Sequence, residues 1–345
     1  MSVDRSRLPS PGPEPDLRFP EIAKRTLPNG LRVWTVEHRG LPVVTLMALV
    51  PAGASSDPFE RPGLAALTGD MLDEGAGGRS ALELQEALAR IGASLDTEVG
   101  PDATLLALAM LSRFTDRGLA LLADILARPA LDEREFTRLR ELRVNRLVQL
   151  RDVPPSLADR AFSRLLFGPH PYAHLPMGTE ASLGAMRHDE VCAFHRRAYD
   201  PQRTTLVAVG DARHDELFQS VADAFDSWPA GSAAEGDLTA PSRVAPAVGS
   251  RVAIVARPGA PQSELRIGQV GAERRTPDYH ALLVLNAILG GQFVSRINMK
   301  LRQQRGYTYG ARTAFDFRRM PGPFLLQTSV ETQVTAAAVT CVSTL

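Results

Sequence analysis

The stretch Gly63-Leu64-Ala65-Ala66-Leu67-Thr68-Gly69-Asp70-Met71-Leu72-Asp73-Glu74-Gly75 reads as an amphipathic helix entered from a turn, with Asp70 and Asp73 on a solvated face. Residues 51–58 and Arg61-Pro62 supply the turn, and the apolar run Val43–Val50 reads as a largely buried strand leading into it. Upstream, residues 25–27 and 31–36 flank Pro28-Asn29-Gly30, whose Asn-Gly pair tolerates positive φ, so a β-hairpin opens the sheet. Downstream, Ser80-Ala81-Leu82-Glu83 has the spacing of a capping box and starts a helix that stops at Gly92.

Two further strands are expected at 93–99 and 104–111, then helices at 115–127, 133–151, 156–167 and 189–199, a strand at 204–209 and a helix at 214–225. Strands gathered together and helices in a block argue for an α+β layer rather than a doubly wound sheet. Residues 229–250 turn to Ala, Gly, Ser and Pro, the composition of a linker. Strands are expected again at 252–256 and 264–270, followed by a helix at 279–289. The strand, strand, helix order of the first unit thus recurs, which implies a duplication. The expected division is an arm at 1–23, a first domain at 24–228, the linker, and a shorter second domain at 251–345 that looks incomplete beside the first.

Thirty-nine basic and 39 acidic residues cancel, which gives no support for binding nucleic acid or an anionic membrane. Cys192 and Cys341 form no Cys-x-x-Cys pair and read as small core residues. Residues 1–20 are polar and proline-rich without the apolar run of a signal peptide, and no uninterrupted apolar stretch reaches the roughly 20 residues of a membrane span, so a cytoplasmic protein is expected. His188, Cys192 and His195 fall at i, i+4 and i+7 on one helical face, the spacing of a metal or redox cluster, although Cys192 also falls on the core side of the pattern.

The turn and helix from Pro51 to Gly75 resemble the start of the zinc-bearing helix of the pitrilysin/insulinase family of metallopeptidases. That family carries His-x-x-Glu-His there, two imidazoles on one helical face and a glutamate that deprotonates the bound water. Matching Gly63-Leu64-Ala65 and Met71-Leu72 to the pattern puts Ala66 and Asp70 at the histidine positions and Gly69 at the base. The family's third ligand precedes an Asp-x-Pro; Asp152-Val153-Pro154 is present, but Arg143-Val144-Asn145-Arg146-Leu147-Val148 ahead of it holds no carboxylate. The resemblance therefore implies that this chain binds no metal of its own. Gly168-Pro169-His170-Pro171-Tyr172 matches a family loop taken as structural.

A second resemblance lies in Leu289-Gly290-Gly291-Gln292-Phe293-Val294-Ser295-Arg296-Ile297 and Leu301-Arg302-Gln303-Gln304-Arg305-Gly306-Tyr307-Thr308-Tyr309-Gly310, similar to the family's C-terminal substrate-binding motif. It implies that Arg302 and Tyr309 complete an active site, with Gly290 and Gly291 beside bound peptide. A phenol donates to the oxygen on which peptide hydrolysis builds charge, and a guanidinium is a forked, permanently charged donor. The ordinary alternative is a helix-end arginine and a strand aromatic. In the family's heterodimeric branch one subunit carries the zinc motif and the other the Arg and Tyr. The expectation is a non-catalytic subunit, with zinc held by a homologous partner and a peptide or unfolded polypeptide as substrate. A structural scaffold, as in family members of a respiratory complex, or a stand-alone peptide-binding module, are the alternatives.

Overall fold

A computed structural model describes residues 12–14, 16, 18–231 and 251–344, so nearly all of the expected linker lies outside the described residues. The chain runs through β1 (Ala23–Thr26), β2 (Arg32–Glu37), β3 (Val43–Val50), α1 (Leu64–Met71), the short pair β4 (Gly75–Ala76) and β5 (Arg79–Ser80), α2 (Ala81–Arg90), β6 (Ser94–Val99) and β7 (Thr104–Leu111). Helices α3 (Thr115–Ala127), α4 (Glu133–Leu150), α5 (Pro154–Phe167), α6 (Glu180–Ala185) and α7 (His188–Ala198) follow, then β8 (Thr205–Gly210) and α8 (His214–Phe225). The later residues form β9 (Gln262–Val270), α9 (Tyr279–Asn286), which continues as a π-helical turn at Ala287–Gly291, α10 (Arg296–Asn298), which continues likewise at Met299–Gln304, then β10 (Ala311–Phe315), β11 (Pro323–Glu331) and α11 (Thr335–Ser343).

The first sheet has the order β1-β2-β8-β3-β7-β6, antiparallel except for β2 beside β8. Alternation fixes its faces. Val44, Leu46, Ala48 and Val50 of β3 are buried, and so are Leu106, Leu108 and Met110 of β7, with Leu46 opposite Leu108 and Ala48 opposite Leu106. Helices α1, α2, α3, α4, α7 and α8 contribute to the same core. The capping box at Ser80 and Glu83 is present, and the Asp132 carboxylate accepts from the Arg134 and Glu135 N–H groups to start α4.

The second sheet, β10-β11-β9, repeats the β6-β7-β3 portion of the first, all antiparallel. Helix α9 follows β9 as α1 follows β3, and α11 follows β11 as α3 follows β7. The two units differ in cover. Every residue of α1 except Asp70 is buried, because α4 and α7 close its outer side. Leu283, Val284, Leu285 and Ile288 of the α9 segment stay exposed. Residues 252–256, expected as a strand, are irregular, with Val252 87% and Ile254 89% exposed. A β-rich composition needs a neighbouring strand; β2 has β1 and β8, whereas no described strand lies beside 252–256.

The halves meet through α5 and β9, where the Arg266 guanidinium, 7% exposed, pairs with Asp159 at 2.6 Å and donates to the Pro155 carbonyl at 3.3 Å. The loop before α6 adds a second join. The Tyr172 hydroxyl donates to Asp102 Oδ1 at 2.6 Å and accepts from the Met320 N–H at 3.1 Å, while the Arg319 N–H donates to Asp102 Oδ2 at 2.7 Å. Burial first, then Asp102, holds this phenol far above its usual range. The loop expected to be structural is thus a bridge between the two sheets.

The His188, Cys192 and His195 spacing does not gather the three side chains around one point. His188 Nε2 lies 2.6 Å from the Leu131 carbonyl and His195 Nε2 lies 3.0 Å from the Leu126 carbonyl, so each imidazole is engaged by backbone; Cys192 is half-buried, its Sγ 3.4 Å from His188 Nε2. His195 stacks on Tyr199, ring centroids 4.8 Å apart. Burial lowers its pKa to about 4, against the Leu126 carbonyl, which pulls the other way. With the folded value below the unfolded one, the stabilisation is complete above pH 6.5 and is lost as pH falls towards 4, on the order of 3 kcal/mol in all. Chemical denaturation of wild type and His195→Gln across pH 4–7 is expected to show the wild type losing its advantage on the acid side; parallel pH profiles would sink this assignment.

Candidate functional site

Two places carry the sequence-derived residues: the outer end of α1, and the segment from Gly290 to Gly310. At the first, Ala66 and Gly69 are buried and offer no donor atom. A side chain at position 69 would start 2.7 Å from Val99 Cγ2, so the packing of β6 against α1 leaves no room for a carboxylate there. Asp70 accepts from Arg143 Nε at 2.5 Å, and the Arg143 side chain is only 12% exposed. The same guanidinium reaches the Pro176 carbonyl at 3.4 Å.

Arg143 comes from α4, in the stretch where the third metal ligand was sought. An arginine there delivers a fixed positive charge where a metal site needs negative donors, and Asp70 answers that charge. The residues described at this place therefore do not fit a zinc ion. Among the described residues no group of three or more His, Cys, Asp or Glu is gathered for a metal. Neither aspartate is the freely solvated residue expected from the sequence. Asp70 is ion-paired, and Asp73 is half-buried, its pKa raised by burial, with Gln85 donating to it at 3.3 Å.

Asp57, passed over in the sequence, organises the entry to this helix. Its buried carboxyl accepts from the Gly63 N–H and the Ala65 N–H, both at 2.7 Å, and so caps α1 from outside. Burial drives its pKa up to about 7, opposed by those N–H groups and by Arg143. Gly63 itself has φ 97°, and its backbone packs on Gly178, φ 75°; a Cβ at Gly63 would lie 3.0 Å from Gly178 Cα. The only sequence signal for Asp57 was a lone acid ahead of Pro58 in the turn.

At the second place, Gly290 lies against β10, where a Cβ would meet Thr313 Oγ1 at 2.4 Å, and a Cβ on Gly291 would meet Asn286 Nδ2 at 2.7 Å. Both glycines permit packing of the chain on itself. The buried Asn298 amide donates to the Gln292 and Ala311 carbonyls at 3.1 and 2.7 Å and accepts from the Ala311 N–H at 2.8 Å. It ties α10 to the start of β10 and so fixes both ends of the loop between them. The Arg302 guanidinium stacks 3.3 Å from the centre of the Phe293 ring. Tyr309 sits in the loop before β10, not in the strand, and is 95% exposed. Thr328 Oγ1 donates to the Gly310 carbonyl at 2.9 Å, which anchors the backbone next to it. Phe293 and Asn298 are positioning residues that spacing alone did not single out.

Two related α+β units make up the described residues, and the helix that follows the first long strand, α1, offers no metal-donor atom at Ala66 or Gly69. Residues 32–163 match the family described as "Insulinase (Peptidase family M16)", and residues 185–343 match "Peptidase M16 inactive domain". The chain belongs to peptidase family M16, the insulinase family. An uncharacterized zinc protease of Mycobacterium leprae is 28% identical over 302 residues, covering 86% of this chain and 66% of that protein. A probable mitochondrial-processing peptidase subunit beta of Arabidopsis thaliana is 23% identical over 274 residues, 79% of this chain and 51% of that one. The crystal structure of a peptidase M16 inactive domain from Pseudomonas fluorescens superposes with a TM-score of 0.88 at 27% identity, over 93% of this chain and 77% of that one. The chain thus spans about two thirds or less of the length of these two curated relatives.

The ion pair has a measurable consequence. Asp70→Ala leaves a mostly buried guanidinium without its carboxylate and is expected to cost about 1–2 kcal/mol, whereas Asp70→Leu combined with Arg143→Met recovers most of that loss. Urea denaturation of Asp70→Leu, Arg143→Met and their double variant reads the coupling; additive effects would show that the pair holds nothing together.

Proposed function

We propose that this chain is the subunit of an M16-type heterodimer that lacks a metal site and supplies Arg302 and Tyr309 to peptide bound at the metal site of a homologous partner. The observation that carries this reading is the contrast between the two places. The place that the resemblance aligns with a metal site holds an Arg143–Asp70 ion pair, while the later loop carries an arginine over Phe293 and an exposed phenol. Among the described residues Arg302 has no carboxylate partner, and the Tyr309 hydroxyl has no hydrogen-bond partner. Both are free to act on a second molecule.

In this reading the Tyr309 hydroxyl donates to the scissile carbonyl oxygen, whose charge grows in the transition state. Arg302, lying over the Phe293 ring, donates to a neighbouring peptide carbonyl and fixes the register of the substrate. The partner contributes the metal and the attacking water. Neither subunit then cleaves peptide alone, and a purely structural scaffold would be indifferent to both side chains.

The test mixes the purified chain with a homologue carrying His-x-x-Glu-His and follows cleavage of an unfolded polypeptide. Tyr309→Phe is expected to lower kcat about 100-fold with little change in KM, the size of effect seen when one such donor is removed. Activity of the mixture unaltered by Tyr309→Phe, or full activity of the partner by itself, would overturn the assignment and leave the scaffold role.

A further inference from the structure

The surface around Arg302 and Tyr309 has a charge that the whole chain does not. Between Asp278 and Asp316 stand Arg296, Lys300, Arg302, Arg305 and Arg312 and not one carboxylate, although the complete chain is neutral. Folding leaves Arg312 exposed on β10 and Lys300 half-buried, with its ammonium donating to Thr344 Oγ1 at 3.2 Å. Ile297, Asn298 and Leu301 take the inner side of the α10 segment against β10 and β11, so Arg296 and Arg305 are exposed and Arg302 is half-exposed. None of the five cations makes an ion pair among the described residues, in a protein whose other arginines make many. Beside them Phe293 is 69% and Val294 73% exposed, at the point where the chain turns from α9 into α10.

We infer that this surface receives a peptide segment that carries an apolar side chain next to acidic ones: the apolar group on Phe293 and Val294, and the carboxylates against Arg296, Lys300 and Arg305. The inference rests on the proposed role of Arg302 and Tyr309 and adds the substrate class. Carboxylates satisfy guanidinium groups with paired hydrogen bonds, and the uncompensated positive potential raises the encounter rate of acidic chains and repels basic ones. A bilayer-spanning role for the same stretch is disfavoured by its geometry. Tyr279–Gln304 is long and apolar enough for a span, but its helix is interrupted after Gly291, where Gln292 is extended, and it carries three cations.

Binding to the full chain without any partner tests this directly. Three fluorescent peptides of equal length carry Leu with Glu, Leu with Gln, or Leu with Lys. At low salt the Glu peptide is expected to bind about tenfold more tightly than the Gln peptide and the Lys peptide most weakly, with the Glu advantage shrinking as salt rises. Arg296→Gln with Arg305→Gln, both exposed and outside the proposed catalytic pair, should remove most of that advantage while circular dichroism and the melting temperature stay unchanged. Charge reversal, Arg296→Glu with Arg305→Glu, should invert the preference towards the Lys peptide. Equal binding of the Glu and Gln peptides, or an unchanged preference in both variants, overturns the inference. So does cosedimentation with phosphatidylglycerol-containing vesicles without binding of any peptide. These outcomes are independent of the Tyr309→Phe result, so failure of the substrate class and failure of the catalytic reading can be told apart.

Discussion

Helix α1 is enclosed by the sheet on one side and by α4 and α7 on the other, and the remaining architecture of the first half follows from keeping that enclosure intact. Its eight residues are too few to be stable as an isolated helix, so tertiary contacts must hold it. Asp57 satisfies the N–H groups at its start, Gly63 and Gly178 let the entry loop and the 176–178 loop touch, and Arg143 closes over Asp70 near its end. Arg143 also binds the Pro176 carbonyl, so one guanidinium joins α1, α4 and the loop that approaches Gly63. In a metal-binding relative of such a helix, ligands from α1 and α4 would be joined by an ion. Here a cation of the chain itself makes the join.

The second half shows what the same topology looks like with less cover. Its three strands and α9 keep the relation of β6, β7, β3 and α1, but α9 shows an apolar side and residues 252–256 find no neighbouring strand. Its core is accordingly smaller, built from Ile297, Leu301, Ala311, Leu326, Val330, Ala338 and Cys341. Its attachment to the first half through Arg266, Tyr172 and Asp102 is polar and geometrically specific, which fixes how the loop bearing Tyr309 is carried. Asn298 then fixes that loop from within.

Elements with strong periodicity or a sharp end signal were readable in advance. Helices 115–127 and 214–225 have the limits expected from spacing, and the Ser80 box and the Asn29-Gly30 turn fall where their chemistry places them. The strand at 252–256 was misread because valine and isoleucine report a fit to a pleated, half-buried surface, and no such surface adjoins them. The His188, Cys192 and His195 spacing was real, but helical spacing says nothing of which carbonyls the ring nitrogens meet, and those of Leu131 and Leu126 take them. Asp70 was read as solvated for the same reason: its partner lies 73 residues away on another helix.

By itself the sequence determined the α+β class, the limits of its strongly periodic helices, the absence of metal-donor atoms at Ala66 and Gly69, and the presence of Arg302 and Tyr309 seven residues apart. Those are properties of local pattern and side-chain chemistry, and they need no knowledge of what lies across the core. Only the tertiary structure decided that Arg143 pairs with Asp70 and Asp57 caps α1, that the Arg302 guanidinium lies over Phe293, and that Tyr309 is left open to solvent. Each of these depends on distances between segments far apart in the chain, or on burial by neighbours, and neither is encoded in any local window.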